Sequence, residues 1–343
     1  MTIAIHKTPW LRCLTALAAS LAIAGTVSAQ TAADKEWAAT VAAAKKEGRV
    51  MLYNSAAQPI GERIAAAFRK AYPEINIEVF RATSGQIVPK LEQERKTGAE
   101  GGDVIINSDI PYFKSRHAEG VLLPPSPEAV RRWPKRFVLY GGVYIAAVEP
   151  LVIIYNKNLV KTPPKSFADL LAPEYRGRTG TSTLAATSVV AFYDWAERTH
   201  GKDYLTQLRA QNPKMYNGGT PMSQAVASGE VAAAGIAAVP ANAKALIGLG
   251  APVDYVVPNP GIGIFYGISA LAGSKRPNAA RVLADFAMSP AGQAAWHGVG
   301  ESASPLPGIP GSLDVSAISL WDPEAFPADV VNAYTTRFNS IFK

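Results

Sequence analysis

At 343 residues the chain is longer than one average domain core occupies, which favours two domains. Hydrophobic residues at 48% and charged residues at 18% exclude a disordered, collagen-like or disulfide-dense protein. The formal charge of +7 arises from 34 Lys and Arg residues scattered along the chain, so it does not by itself indicate nucleic acid.

The amino terminus reads as a secretory signal. Lys7 and Arg12 give a short basic start, Leu14 to Val27 is apolar and small, and Val27-Ser28-Ala29 supplies the small residues of a cleavage site after Ala29. The apolar run is shorter than the ~20 residues of a spanning helix, so an exported, soluble mature chain is expected. Removing 29 residues leaves 314 and lowers the charge from +7 to +5, since the segment carries two cations and no carboxylate. The one cysteine, Cys13, leaves with it. Arg12 directly precedes Cys13, where a lipoprotein signal would have a small residue, so Cys13 is not read as a lipid anchor. A mature chain without thiols has no disulfide, cysteine nucleophile or cysteine metal site.

Along the mature chain, Trp37, Val41 and Ala44 recur at helical spacing, and Lys45-Lys46 with Gly48 stop that helix. Arg49 to Tyr53 reads as a strand, and Ile64, Phe68 and Tyr72 mark an amphipathic helix. Ile75 to Phe80 is a second strand, Ile87 to Lys96 a helix, and Asp103 to Ile106 a third strand. This alternation predicts α/β architecture with a mostly parallel sheet. Val143 to Tyr155 is too long for one ordinary strand and is broken by Glu149-Pro150, as a crossing between domains would be. Arg178 to Ser182 predicts a strand leading into a helix over Thr187 to His200. Thr220-Pro221 predicts a helix start with a capping threonine and a proline in the first turn. Strands are expected over Val231 to Ile236 and Val253 to Val257. Ile262 to Leu271 forms a second long apolar run, and Asn278 to Met288 an amphipathic helix.

Several stretches taken together resemble the extracellular solute-binding proteins of bacterial ABC importers, in the branch that contains the ferric-iron-binding proteins. They are AAKKEGRVMLYNS, AFRKAYPEINIEV, LVIIYNKNLV, PKSFADLLAPEYRGRTG, SQAVASGEVAAAGI and SKRPNAARVLADFAMSPAGQAAW, in the family's order across nearly the whole mature chain. The resemblance implies the two-lobed α/β fold of type II periplasmic binding proteins. Two crossing strands act as the hinge, and the ligand is enclosed between closing lobes. On that basis residues 1–29 are the signal peptide, 30–148 and 267–343 the first lobe, and 149–266 the second, with Tyr266 on the returning crossing. The resemblance also implies delivery of a small ligand to an ABC permease and its ATPase at the inner membrane. The receptor is expected to be a periplasmic monomer with no cofactor, no nucleic-acid partner and no catalysis.

Ferric iron is the first ligand to test against such a resemblance. The iron-binding branch supplies a tyrosine pair, a histidine and a glutamate, whereas this chain offers Ala57 and Ser108 at the loop positions and Val239-Pro240 where the tyrosine pair falls. Asp109 and Tyr112 could contribute only to an improvised iron site. The matching loops carry hydroxyl, amide and glycine residues instead, many just before helices, where free N–H groups favour an anion. The candidate ligand contacts are therefore Ser55, Gln58, Arg81, Ser84, Gly85, Ser108, Asp109, Thr183, Thr187, Asn217, Thr220 and Tyr266. Thr83, Ser182, Gly218 and Gly219 lie in the same loops. Arg81 could clamp a carboxylate or phosphonate, and Tyr53, Tyr112, Tyr216, Phe265 or Tyr266 could stack on a ring. A secreted hydrolase is the rival class, but the chain has no G-x-S-x-G elbow, no H-E-x-x-H helix and no Walker loop. Its remaining histidines, His117, His200 and His297, stand apart in sequence.

Overall fold

The computed structural model describes residues 34–343 apart from 315 and 317. The expected signal segment and Cys13 lie outside the described residues. Among those described, no helix is long and apolar enough to cross a membrane.

The chain begins with a helix, α1 (34–47), which ends at Gly48 in the left-handed conformation, φ +69°. Three βα units follow: β1 (Arg49–Asn54) with α2 (Gln58–Ala71), β2 (Asn76–Arg81) with α3 (Ser84–Thr97), and β3 (Val104–Asn107) with α4 (Ile110–Ala118). Strands β2 and β3 both run parallel to β1. Helix α2 shows why the pattern is legible: Ile60, Ile64 and Phe68 recur every four residues and are fully buried.

After β4 (Leu122–Leu123), α5 (Pro127–Arg132) and β5 (Val138–Leu139) comes β6 (Val143–Pro150), buried along its whole length. The long apolar run of the sequence divides here. Leu151 and Val152 carry the chain from β6 into β7 (Ile153–Asn156), which belongs to another sheet. That second sheet is completed by β8 (Thr179–Ser182), β9 (Lys214–Tyr216), β10 (Ala233–Ala234) and β11 (Val253–Val256), in the order β11-β7-β10-β8-β9. Its helices are α6 (Thr187–His200), α7 (Tyr204–Ala210), α8 (Gly219–Ser228) and α9 (Pro240–Gly248). The chain then returns as β12 (Gly263–Leu271), antiparallel to both β3 and β6, which gives the first sheet the order β2-β1-β3-β12-β6-β5. Helices α10 (Pro277–Ala287) and α11 (Pro290–His297) pack back onto this first layer, α10 on β12 and β1 and α11 on α2.

Two details differ from the sequence expectation. Tyr266 lies inside β12, the returning strand, but is paired with Ala147 of β6 and so belongs to the first sheet rather than to the second lobe. The last helix, α12 (Ala328–Phe342), packs against α6 and α7 of the second lobe, although the sequence assigned everything after residue 266 to the first. The physical reason is an apolar and polar clasp. Phe338 meets Tyr193, while Tyr334 donates to the buried Glu197 at 2.7 Å and Arg337 adds a second donor at 2.8 Å.

The first sheet is tied to its returning strands by one buried carboxylate. Asp103 accepts from the Met51 amide at 2.7 Å, the Ser274 hydroxyl at 2.6 Å and Arg276 Nε at 2.9 Å. Removing it leaves Arg276, itself buried, with Glu100 as its remaining counter-charge and strips the Met51 amide and the Ser274 hydroxyl of their acceptor. Asp103→Ala is expected to cost ~3–5 kcal/mol in urea unfolding. Breaking the exposed Lys45–Glu74 pair by Glu74→Ala should leave the midpoint unmoved within error.

Candidate functional site

A cleft of about 570 Å³, including space open to solvent, lies between the two lobes. The first lobe contributes Ser55, Ala57, Arg81, Thr83, Ser84, Ser108, Ile264 and Tyr266. The second contributes Ser182, Ala185, Ala186, Ser188, Val189, Gly218, Gly219, Thr220, Ala237, Val239 and Asn242.

Five helices start at this cleft. Their N-cap residues Ala57, Thr83, Ala186, Gly218 and Val239, which precede α2, α3, α6, α8 and α9, are all on its wall. A helix start has backbone N–H groups with no partner inside the helix, and Ser, Thr, Asp or Asn ordinarily caps them. Here α2, α6 and α8 begin at Ala57, Ala186 and Gly218, none of which has a side chain able to cap. Gly218 adopts φ +100°, a conformation that L side chains rarely reach, so glycine sets the path into α8. Thr220 is therefore not the cap the sequence suggested. It lies inside α8 and accepts from Asn242 Nδ2 at 3.4 Å.

On the opposite wall three serines form a hydroxyl cluster. Ser84 and Ser108 share a hydrogen bond of 2.8 Å between their hydroxyls, and Ser55 Oγ accepts from the Ser108 amide at 3.2 Å. Arg81 donates through Nε to the Ala56 carbonyl at 3.4 Å, which fixes its guanidinium at the end of β2. Among the described residues lining the cleft, Arg81 is the single charged side chain, with no carboxylate and no imidazole beside it. The walls approach closely at one edge: a β-carbon on Gly85 would lie 2.9 Å from the Ala185 carbonyl oxygen.

Six of the twelve candidate contacts, Ser55, Arg81, Ser84, Ser108, Thr220 and Tyr266, line this cleft together. Gly85 stands at its edge, as just described. The other five do not line it. Gln58 is exposed and pairs with Glu62 at 2.9 Å. Asp109 caps α4, accepting from the Tyr112 amide at 3.2 Å, and burial raises its carboxyl above the usual range. Thr183 and Asn217 face each other at 3.5 Å, and Thr187 is the first residue of α6 without reaching the wall. The aromatic candidates other than Tyr266 are engaged elsewhere: Tyr53 with Glu94, Tyr112 with Glu92, Tyr216 with Glu230, and Phe265 stacked on Trp321. Ser188 and Asn242 went unnoticed in the sequence. Ser188 is one place beyond the named helix start, and α9, which carries Asn242, is signalled only by Pro240 at its first position.

A sequence profile described as bacterial extracellular solute-binding protein matches residues 63–328. The chain belongs to that family. It is 28% identical over 152 residues to a putative 2-aminoethylphosphonate-binding periplasmic protein of Salmonella paratyphi A, a match that spans 43% of each chain. Among solved structures, its fold is similar to the substrate-binding protein of an ABC transporter from Agrobacterium tumefaciens. That likeness has a TM-score of 0.76 at 17% identity, covering 86% of this chain and 94% of that one. It is also similar to the periplasmic binding protein AfuA of Actinobacillus pleuropneumoniae with bound fructose-6-phosphate. Here the TM-score is 0.70 at 21% identity, covering 86% and 98%. The two lobes are thus those of a type II periplasmic binding protein, and the family to which the chain belongs is one of extracellular solute-binding proteins.

Two buried titratable groups sit just behind the cleft floor. Glu149 on β6 is fully buried, and loss of hydration pushes its carboxyl up to about 8, with Trp296 and Tyr266 opposing that rise and Glu301 adding to it. His297 is also fully buried. Its Nε2 lies 3.3 Å from the Ala146 carbonyl, which can only accept, so Nε2 carries the proton and Nδ1 accepts from the Ser302 hydroxyl at 2.6 Å. Burial pushes His297 down to about 3.

The two shifts predict the shape of a stability profile. Between about 4.5 and 8 the unfolded chain ionises at residue 149 while the folded chain stays protonated, so Glu149 makes stability fall as pH rises. Between about 3 and 6.5 the unfolded chain protonates at residue 297 while the folded chain does not, so His297 makes stability fall as pH drops. The slopes oppose between 4.5 and 6.5, leaving a plateau there and a decline on each side of up to ~1.4 kcal/mol per pH unit. Melting temperature recorded against pH should show that plateau, and Glu149→Gln should flatten the limb above pH 6.5 while leaving the acid limb in place.

Proposed function

We propose that this protein is an exported receptor that captures a small organic anion of phosphonate, phosphate-ester or carboxylate type between its lobes and hands it to an ABC permease. The observation that carries the reading is the pairing of three uncapped helix starts with a cleft lining whose one charge is Arg81. Each uncapped start offers N–H donors and roughly half a positive charge, and the serine hydroxyls opposite can donate to the same oxygens. A cation would find no carboxylate there. Ferric iron would find Tyr266 as the one phenol on the wall, with its hydroxyl held neutral by burial. The phosphonate named for the Salmonella relative and the sugar phosphate bound by AfuA are of the proposed class.

The energetics suffice. Micromolar capture needs about 8 kcal/mol, and each hydrogen bond to a charged oxygen supplies about 1.5–3. Closure would bring Ser55, Ser84 and Ser108 against the starts of α6 and α8, with Arg81 as a bidentate clamp. The remaining parts of the reading are a signal peptide cleaved after Ala29, action as a monomer, and release of the ligand unchanged, with energy from the partner ATPase.

Thermal-shift and calorimetric titration of mature protein against 2-aminoethylphosphonate, fructose 6-phosphate, inorganic phosphate, simple carboxylates, thiamine-like heterocycles and ferric salts tests this. Stabilisation by a member of the anion class, with the same molecule recovered afterwards, is the expected result. Arg81→Ala should weaken that ligand by ~10–100-fold without lowering the melting temperature of the free protein. Stabilisation by ferric iron with a phenolate-to-iron absorption band would replace the reading.

A further inference from the structure

Beneath the cleft, Glu149 and Tyr266 share one face of the first sheet. Tyr266 pairs with Ala147, and Glu149 pairs with Ile264, so the two side chains are diagonal neighbours on adjoining strands. Tyr266 lines the cleft, whereas Glu149 is completely covered. Of the carboxyl oxygens, Oε1 accepts from Trp296 Nε1 at 3.5 Å, and Oε2 is buried with no partner. A buried, unpartnered carboxylate oxygen carries a large desolvation cost, and a proton on it removes most of that cost.

The other charges around Glu149 do not supply a partner. From α2 Arg63 faces it, but the guanidinium is committed to Glu301 and to the carbonyls of Ala295 and Trp296. Glu301, in the segment after α11, adds like charge. His297 of α11 is neutral, and Arg81 lies beyond Tyr266.

We infer that Glu149 is a neutral carboxylic acid behind the cleft floor, and that its ionisation weakens the hold on an anionic ligand. No hydrogen bond joins Glu149 to Tyr266, so the coupling runs through charge. Once Glu149 loses its proton to solvent, it holds a buried, uncompensated negative charge. That charge repels an anion across one side chain of low-dielectric space. Glu149 is also one residue from Pro150, where β6 leaves for the second lobe, so the added charge appears beside the hinge.

This inference rests on the reading of the cleft as an anion site, and the experiment separates the two. Sulfate serves as probe because its charge is constant over the range. Its dissociation constant is measured from pH 6 to 9 for wild type and Glu149→Gln, whose amide stays neutral at every pH. Wild type should bind about tenfold more weakly at pH 9 than at pH 7, and Glu149→Gln should be flat. Equal slopes in both proteins, or none in wild type, overturn the coupling while leaving the anion site standing. Sulfate binding by neither protein at any pH overturns the anion site and the coupling with it. Should Glu149→Gln fail to fold, infrared spectra of wild type decide: a buried carboxylic acid C=O band lost between pH 7 and 9 supports the inference, and no such band overturns it.

Discussion

The antiparallel pairing of β6 with β12 is the constraint on which the rest of the molecule depends. Both strands are buried along their full length, both carry the chain to or from the second lobe, and the register slips between Tyr266 and Gly267. Such a slip bends a strand locally and turns the side chains on either side of it. Because β12 also pairs with β3, the strand that arrives last in sequence sits in the middle of the first sheet. The floor of the cleft is therefore part of the core, which is why a side chain such as Tyr266 can face solute on one side and a buried carboxyl on the other.

The walls follow from the same layout. In a parallel βα arrangement the loops at the carboxyl ends of the strands all lead into helix starts, and two such lobes facing each other bring those starts together. What distinguishes this chain is the choice of residues at the starts. Alanine and glycine occupy three N-cap positions, whereas Ser126 caps α5 and Ser289 caps α11, where the hydroxyl accepts from the Ala129 and Gly292 amides. The starts of α7 and α12, away from the cleft, also lack a side-chain cap, so a missing cap alone marks nothing. The convergence of three uncapped starts on one cleft is what sets the site apart.

Much of the fold was legible because its apolar spacing is strong: β1, α2, β2, β3 and α6 all fall where the pattern puts them. The resemblance carried the two-lobed arrangement, since nothing in periodicity alone says that the run from Val143 to Tyr155 divides between two sheets. The site was legible by loop and less so by residue. Ser55, Ser84 and Ser108 follow from their places after strands, whereas Gln58 and Asp109, chosen by the same reasoning, are spent on a neighbour and on a cap. Hydroxyl and amide residues at helix starts look alike in sequence whether they cap or face a ligand. The more telling signal was the absence of a capping residue at Ala57 and Ala186, which a search for functional side chains passes over. Glu149 was visible only as an interruption in an apolar run, and its significance needed the burial.

The placement of α12 bears on how the chain acquires its structure. Up to residue 262 the polypeptide contains neither the central strand of the first sheet nor the helix that covers α6 and α7 of the second lobe. Both lobes are thus closed by sequence that leaves the ribosome late, and both depend on contacts between distant parts of the chain, the kind that form slowly. A chain of this design cannot complete either lobe until the residues beyond 262 are available to it.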